Sequence, residues 1–149
     1  MALTLMKRRY LSASEEQRVT AAITAAEHGH RGEIQVILEA RYPGEGPIDR
    51  AATLFEELGL DKTRDGTGVL LYTAVDDHRA AIWAGPGLFA ATAPGFWKDA
   101  IDTVAQGFKS GDRAGGLERA IATIGNLLAT AAPGDDLRGN ELADKVHQR

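Results

Sequence analysis

The side chains of this sequence that could do chemistry are few, and their spacing restricts what they could do. His28 and His30 flank Gly29 and could offer two imidazoles to a metal. They also stand where a helix should end, a place where histidine answers the negative end of the helix dipole. Asp76-Asp77 could hold calcium or magnesium through oxygen ligands. The same pair suits a tight hairpin turn, in which aspartate bonds to nearby backbone. Gly66-Thr67-Gly68 and Gly85-Pro86-Gly87 form two glycine corners. Neither continues into the Lys-Ser/Thr of a phosphate loop, and glycine there more often serves the turn itself. The serines Ser12, Ser14 and Ser110 do not stand in a nucleophile elbow, and the chain has no cysteine. A covalent mechanism therefore lacks a nucleophile. Metal-assisted hydrolysis stays open, because it needs only oxygen ligands and water.

The elements that must position these residues can be read from periodicity. Ser12-Ala13-Ser14-Glu15 fits a capping box. Val19, Ile23 and Ala26 then follow at helical spacing, and the helix should end near Gly29. Glu33 to Glu39 is rich in β-branched residues and predicts a strand. A second helix is expected from about Asp49, with Ala51, Phe55 and Leu58 on one face and Gly59 as its stop. Val69 to Val75 does not alternate, so it should be a strand buried on both faces. Asp76 to Arg79 makes a hairpin turn, and Ala80 to Ala84 returns antiparallel. Trp97, Ile101, Val104 and Phe108 predict a helix whose spacing puts Trp97 in the core and turns Phe96 elsewhere. Ser110-Gly111-Asp112 breaks it, and Leu117, Ile121, Ile124 and Leu128 mark the last helix. The order is α-β-α-β-β-α-α, with helices on both faces of a small mixed sheet of at least three strands.

This order decides which loops can cooperate. The first strand starts at Gly32-Glu33, the second starts beside it at Thr67-Gly68, and the third ends on the same edge at Gly85-Pro86-Gly87. Glu33, Asp65, Thr67, Gly68, Gly85, Pro86 and Gly87 should therefore meet. Glu39, Arg41, Asp76, Asp77 and His78 should lie at the opposite edge.

At 149 residues the chain is long enough for one domain with a sizeable core. Its 44% hydrophobic and 26% charged residues exclude a disordered or fibrous class. A net charge of −4 argues against nucleic acid as a partner. The absence of cysteine excludes disulfides and thiolate metal sites. Lys7-Arg8-Arg9 follows rather than precedes the apolar start, so no secretory signal is read, and no run is long enough to insert in a membrane. The expected location is cytoplasmic. Residues 1–11 are expected to be flexible, 12–132 to form the domain, and 133–149 to be a polar tail.

Several strings resemble one family in order and spacing. Arg31-Gly32-Glu33-Ile34-Gln35-Val36 resembles its first strand, and Asp49-Arg50-Ala51 with Phe55 and Leu58-Gly59 its next helix. Thr67 to Tyr72 is similar to its second strand, and Asp77-His78-Arg79 with the Gly85–Gly87 turn to its hairpin. Phe96-Trp97, Phe108, Gly111, Gly116-Leu117 and Ala120-Ile121 continue the match, and Asn140-Glu141-Leu142 with Asp144 resembles its tail signature. The chain thus resembles the TPM domain family, formerly a domain of unknown function with thylakoid-lumen phosphatase-like, photosystem-associated and nematode receptor-modulator members. It is most similar to the short soluble bacterial branch.

The resemblance implies a three-layer α/β/α sandwich. It implies calcium or other divalent-cation binding in some members, acid phosphatase activity in a plant member, and a LemA-type membrane protein as a partner. On this chain the residues left to hold calcium or magnesium are Glu33 and Asp65 with the carbonyls of the two turns, and Asp76-Asp77 is the alternative acidic turn. The expected function is a non-enzymatic binding or regulatory module with weak cation binding at the sheet edge. The alternative is a metal-assisted phosphatase acting on phosphomonoesters.

Overall fold

Ser12 starts the first helix as the capping box predicts. Its hydroxyl accepts from the Glu15 N–H at 3.1 Å, and the Glu15 carboxylate accepts from the Ser12 N–H at 2.9 Å. This helix, α1, spans Ala13–Glu27. It is followed by β1 (Glu33–Glu39), α2 (Pro47–Glu57), a single 3-10 turn (Leu60–Lys62), β2 (Gly68–Ala74) and β3 (Arg79–Ala84). Then come α3 (Pro86–Ala91), α4 (Phe96–Ser110), α5 (Arg113–Ala131) and β4 (Val146–Gln148). The structure is a computed structural model and describes residues 9–63, 66–93, 95–134 and 145–149. Asp65, the Lys7–Arg9 cluster except Arg9, and the Asn140–Asp144 signature lie outside the described residues.

The four strands form one mixed sheet in the order β3-β2-β1-β4. β1 is parallel to β2 and β4, and β3 is antiparallel to β2. The two central strands are buried along their whole length, which explains why the Val69 run does not alternate. α1, α4 and α5 cover one face, where Ile23, Val104 and Ile121 pack with Val36, Val69 and Leu71. α2 covers the other face, where Leu54 and Phe55 pack with Ile37, Leu70 and Tyr72. The fold is thus the three-layer α/β/α sandwich that the pattern predicts.

Two elements depart from the sequence reading. Pro86 does not merely close a turn, because it is the first residue of the short helix α3, a position where its missing N–H is not needed. The polar tail expected from residue 133 ends instead as the edge strand β4. The polar side chains there have buried partners. Gln148 is 1% exposed. Its Oε1 accepts from the N–H groups of Tyr10 and Leu11 at 2.7 and 2.9 Å, and its amide donates to Glu16 at 2.9 Å. This bridge also fixes the inner end of the segment expected to be flexible, since Tyr10 and Leu11 are buried.

Candidate functional site

The three segments predicted to meet do meet. The Glu33 N–H donates to the Thr67 carbonyl at 3.1 Å, and the Gly85 N–H donates to the Gly68 carbonyl at 3.0 Å. The Thr67 hydroxyl donates to the Arg31 carbonyl at 2.8 Å. A Cβ on Gly85 would lie 1.8 Å from the Gly66 carbonyl oxygen, so the two glycine corners touch and Gly85 must be glycine. Pro86 and Gly87 continue into α3 beside this contact.

Glu33, the one acidic side chain that this edge gathers among the described residues the sequence singled out, is already engaged. The Lys145 ammonium lies 2.6 Å from its Oε2 and 2.9 Å from Oε2 of Glu27. Glu27 Oε2 also accepts from the Ile34 N–H at 2.7 Å. The Lys145 and Glu33 side chains are 5% and 3% exposed. A cation this deep needs such partners, because bringing a charge out of water is costly unless it is paired and hydrogen-bonded. Burial pushes the Glu27 carboxyl above its usual range, against the opposing pull of the Ile34 N–H and Lys145. Lys145 carries no signal in the sequence. It stands in a polar stretch, 112 residues from its partner Glu33.

Among the described residues the donors at this edge fall short of the oxygen set that a tightly held divalent cation takes. Among the described residues no group of three or more His, Asp or Glu side chains could hold a metal. His30 is not turned toward a ligand. Its Nδ1 accepts from the Gly32 N–H at 3.0 Å, and its Nε2 meets the Ala26 carbonyl, so the ring closes the end of α1.

The opposite edge joins hairpin-to-loop hydrogen bonds with the Arg50–Glu39 ion pair. Asp77 Oδ2 accepts from the Tyr42 N–H at 2.9 Å, tying the hairpin to the loop after β1. The Asp76 N–H donates to the Ala40 carbonyl at 2.8 Å. The Arg50 guanidinium forks onto Glu39 at 2.9 and 3.1 Å, and the Tyr72 hydroxyl donates to the same carboxylate. Burial raises the Glu39 pKa, but Arg50 and Tyr72 together outweigh it and hold the carboxyl below its ordinary value. A depressed carboxylate stabilises the fold above its unfolded pKa, and that contribution is lost as pH falls through the folded one. The acid limb of the stability profile, below the ordinary glutamate value of 4.5, should therefore flatten in Glu39→Gln. Denaturant unfolding from neutral to acid pH measures this, and parallel limbs would contradict it. Glu27, with its raised carboxyl, contributes the opposite slope in both proteins and drops out of the difference.

Around the free edge of β3 runs a string of aromatic rings. Trp83 meets Phe89 edge-on at 5.7 Å, Phe89 meets Trp97 at 5.6 Å, and Trp97 meets Phe96 at 5.0 Å. Trp97 is partly buried rather than fully in the core, because its indole N–H donates to the Thr92 hydroxyl at 2.9 Å near the surface. Phe89 is 38% exposed.

The model of the TPM domain matches residues 6–127. The chain belongs to the TPM domain family. Its TPM fold is similar to the solution structure of the BA42 protein from the psychrophilic bacterium Bizionia argentinensis. The identity is 31% and the TM-score 0.83, covering 95% of this chain and 97% of that one. The N-terminal domain of a protein from P. gingivalis shares the fold at 22% identity and TM-score 0.68, over 82% of this chain and 78% of that one. The N-terminal domain of a Corynebacterium glutamicum protein does so at 16% identity and TM-score 0.64, over 91% and 85%. Among curated proteins none matches. Among the described residues no helix of this TPM domain is long and apolar enough to cross a membrane.

Proposed function

We propose that this TPM domain is a non-enzymatic binding and regulatory module. The observation that carries the reading is the Glu27–Lys145–Glu33 arrangement, which spends Glu33 on an internal ammonium. A carboxylate held this way is not available as a general base or as a strong metal ligand. The aromatic string from Trp83 to Phe96 supplies a face of the kind that anchors protein partners, with Phe89 as its exposed ring. A LemA-type membrane protein is the partner class that the family resemblance suggests for it.

Weak occupancy by calcium or magnesium belongs to the same reading. Glu33, Asp65 and the carbonyls at Thr67, Gly68, Gly85, Pro86 and Gly87 would supply the oxygens, and the cation would compete with Lys145. Two measurements test the proposal. The first is hydrolysis of a generic phosphomonoester with magnesium, calcium or manganese present, for which no turnover is expected. Turnover that disappears in Glu33→Gln, with the variant's amide spectrum still folded, would replace this reading by a metal-assisted phosphatase. The second is a calcium titration followed by amide shifts. Small, non-saturating shifts confined to Glu33, Thr67 and the glycine corners are expected, whereas tight saturation would show that Lys145 is displaced with ease.

A further inference from the structure

The cleft between the β2–β3 hairpin and α4 combines features that the partner-binding reading does not use. It encloses about 520 Å³ and lies at the opposite edge of the sheet from the glycine corners. Its floor is Thr73, Val75 and Ala80, and its wall is Val104, Ala105 and Phe108. Those are apolar surroundings of the size small-molecule sites take. Arg79, Lys109 and His78 form the rim. Neither Arg79 nor Lys109 has a carboxylate partner among the described residues.

The second observation is Thr73 itself. It is 4% exposed, and among the described residues its hydroxyl is the buried side-chain polar atom with no hydrogen-bond partner. A buried hydroxyl is normally satisfied, and one left alone is costly. Thr73 shares its sheet face with Val69, Leu71 and Val75, which is the face toward α4. The unsatisfied group therefore belongs to the floor of the cleft. A threonine at a position where the isosteric valine would leave no unpaired hydroxyl is accounted for if something in the cleft bonds to it.

We propose that this cleft binds a small organic monoanion whose apolar body carries one hydrogen-bonding group remote from the charge. The anionic group meets Lys109 and Arg79 at the rim. The body lies on Val75, Val104 and Phe108. The remote polar group pairs with the Thr73 hydroxyl at the floor. A site built this way discriminates most strongly against an analogue that lacks the inner group, since the buried hydroxyl is then left unpaired again.

The test uses the full chain and three probes, 3-(4-hydroxyphenyl)propionate, 3-phenylpropionate and tyramine, titrated against backbone amide shifts. Saturable shifts at Thr73, Ala80, Val104 and Phe108 are expected with the hydroxylated acid. At least tenfold weaker binding is expected for the phenyl acid, and none for the amine. Thr73→Val should abolish the difference between the two acids and, by removing an unpaired hydroxyl, raise the melting temperature of the free protein. Lys109→Ala should weaken both acids alike. Equal shifts with all three probes, or no saturable shift with the hydroxylated acid, overturn the proposal. A lower melting temperature in Thr73→Val also overturns it, because the hydroxyl would then have a partner already. None of these outcomes depends on the aromatic face or on cation binding at the glycine edge.

Discussion

Lys145→Met is expected to destabilise the fold by about 3–5 kcal/mol, the usual cost of breaking a buried ion pair by removing one partner. At this chain length that corresponds to a fall in melting temperature on the order of 10 °C. Methionine fills a similar volume, so the loss would be electrostatic rather than a cavity. What remains is two carboxylates, Glu33 and Glu27, whose Oε2 atoms had shared one ammonium at 2.6 and 2.9 Å. One of them must then take a proton, and Glu27, already pushed upward by burial, is the one placed to do so. The variant should therefore regain stability as pH falls toward the glutamate range, where protonation removes the unpaired charge. The double variant Glu33→Gln with Lys145→Met should recover part of the loss, and the cycle gives the coupling. A loss below about 1 kcal/mol would put the pair in the class of solvent-screened surface bridges.

The size of that effect depends on whether β4 stays in place. The Lys145 carbonyl accepts from the Val36 N–H at 2.9 Å, and the Arg149 N–H donates to the Leu38 carbonyl at 2.8 Å. If the strand peeled away as a local unit, water would reach Glu33 and the penalty would be limited to the stability of that unit. Hydrogen exchange at Val36 distinguishes the two cases. Gln148 argues for cohesion, since its amide group ties β4 to Tyr10, Leu11 and Glu16 at once.

These terminal residues also show where the sequence stopped being legible. The Val69 run announces a strand buried on both faces because such burial demands apolar residues that any reading can see, and the β-branched residues of Glu33 to Glu39 announce a strand. The caps at Ser12 and Asp112 are equally visible, being local chemistry. The meeting of Glu33, Thr67 and Gly85 follows from strand order alone. β4 has no such signature. Its three residues are Val-His-Gln, and their strand character comes from pairing with β1. His147 sits 2.7 Å from the Gln35 amide oxygen, a polar pair more than a hundred residues apart in sequence. Polar residues read as solvent-facing unless the partner is known, so Lys145 and Gln148 were illegible for the same reason. The site suffered accordingly. Glu33 looked like an available ligand because the group that neutralises it is invisible to local pattern. Arg50, which forks onto Glu39 from α2, shows in the sequence only as part of a family string, because its role is set by a contact eleven residues away.

The same substitution, glycine to alanine, is expected to change stability in opposite directions at two helical positions. In the absence of other contacts alanine gains about 1 kcal/mol over glycine inside a helix, because it loses less backbone freedom on folding. Gly87 in α3 has nothing within 4 Å of where a Cβ would stand, so Gly87→Ala should keep that gain, roughly 0.5–1 kcal/mol. Gly107 in α4 has no such room. A Cβ there would lie 2.5 Å from the Gly116 Cα, 2.8 Å from the Asp112 carbonyl oxygen and 2.9 Å from the Gly116 nitrogen. All three are backbone atoms, so no side chain can rotate away. The reciprocal Cβ on Gly116 would lie 2.8 Å from the Gly107 Cα. α4 and α5 touch backbone to backbone at this point, and one methyl must push the helices apart. The α4–α5 connection cannot yield easily, since the Asp112 N–H donates to the Gly107 carbonyl at 2.8 Å and the Asp112 carboxylate caps α5. Overpacking of this kind costs about 1–3 kcal/mol, which exceeds the propensity gain. Gly107→Ala should therefore lower the unfolding free energy while Gly87→Ala raises it, both read from the denaturant midpoint at unchanged slope. If both variants rose together, the two helices would have slack between them, and the close crossing that holds α4 against the sheet would be wrong.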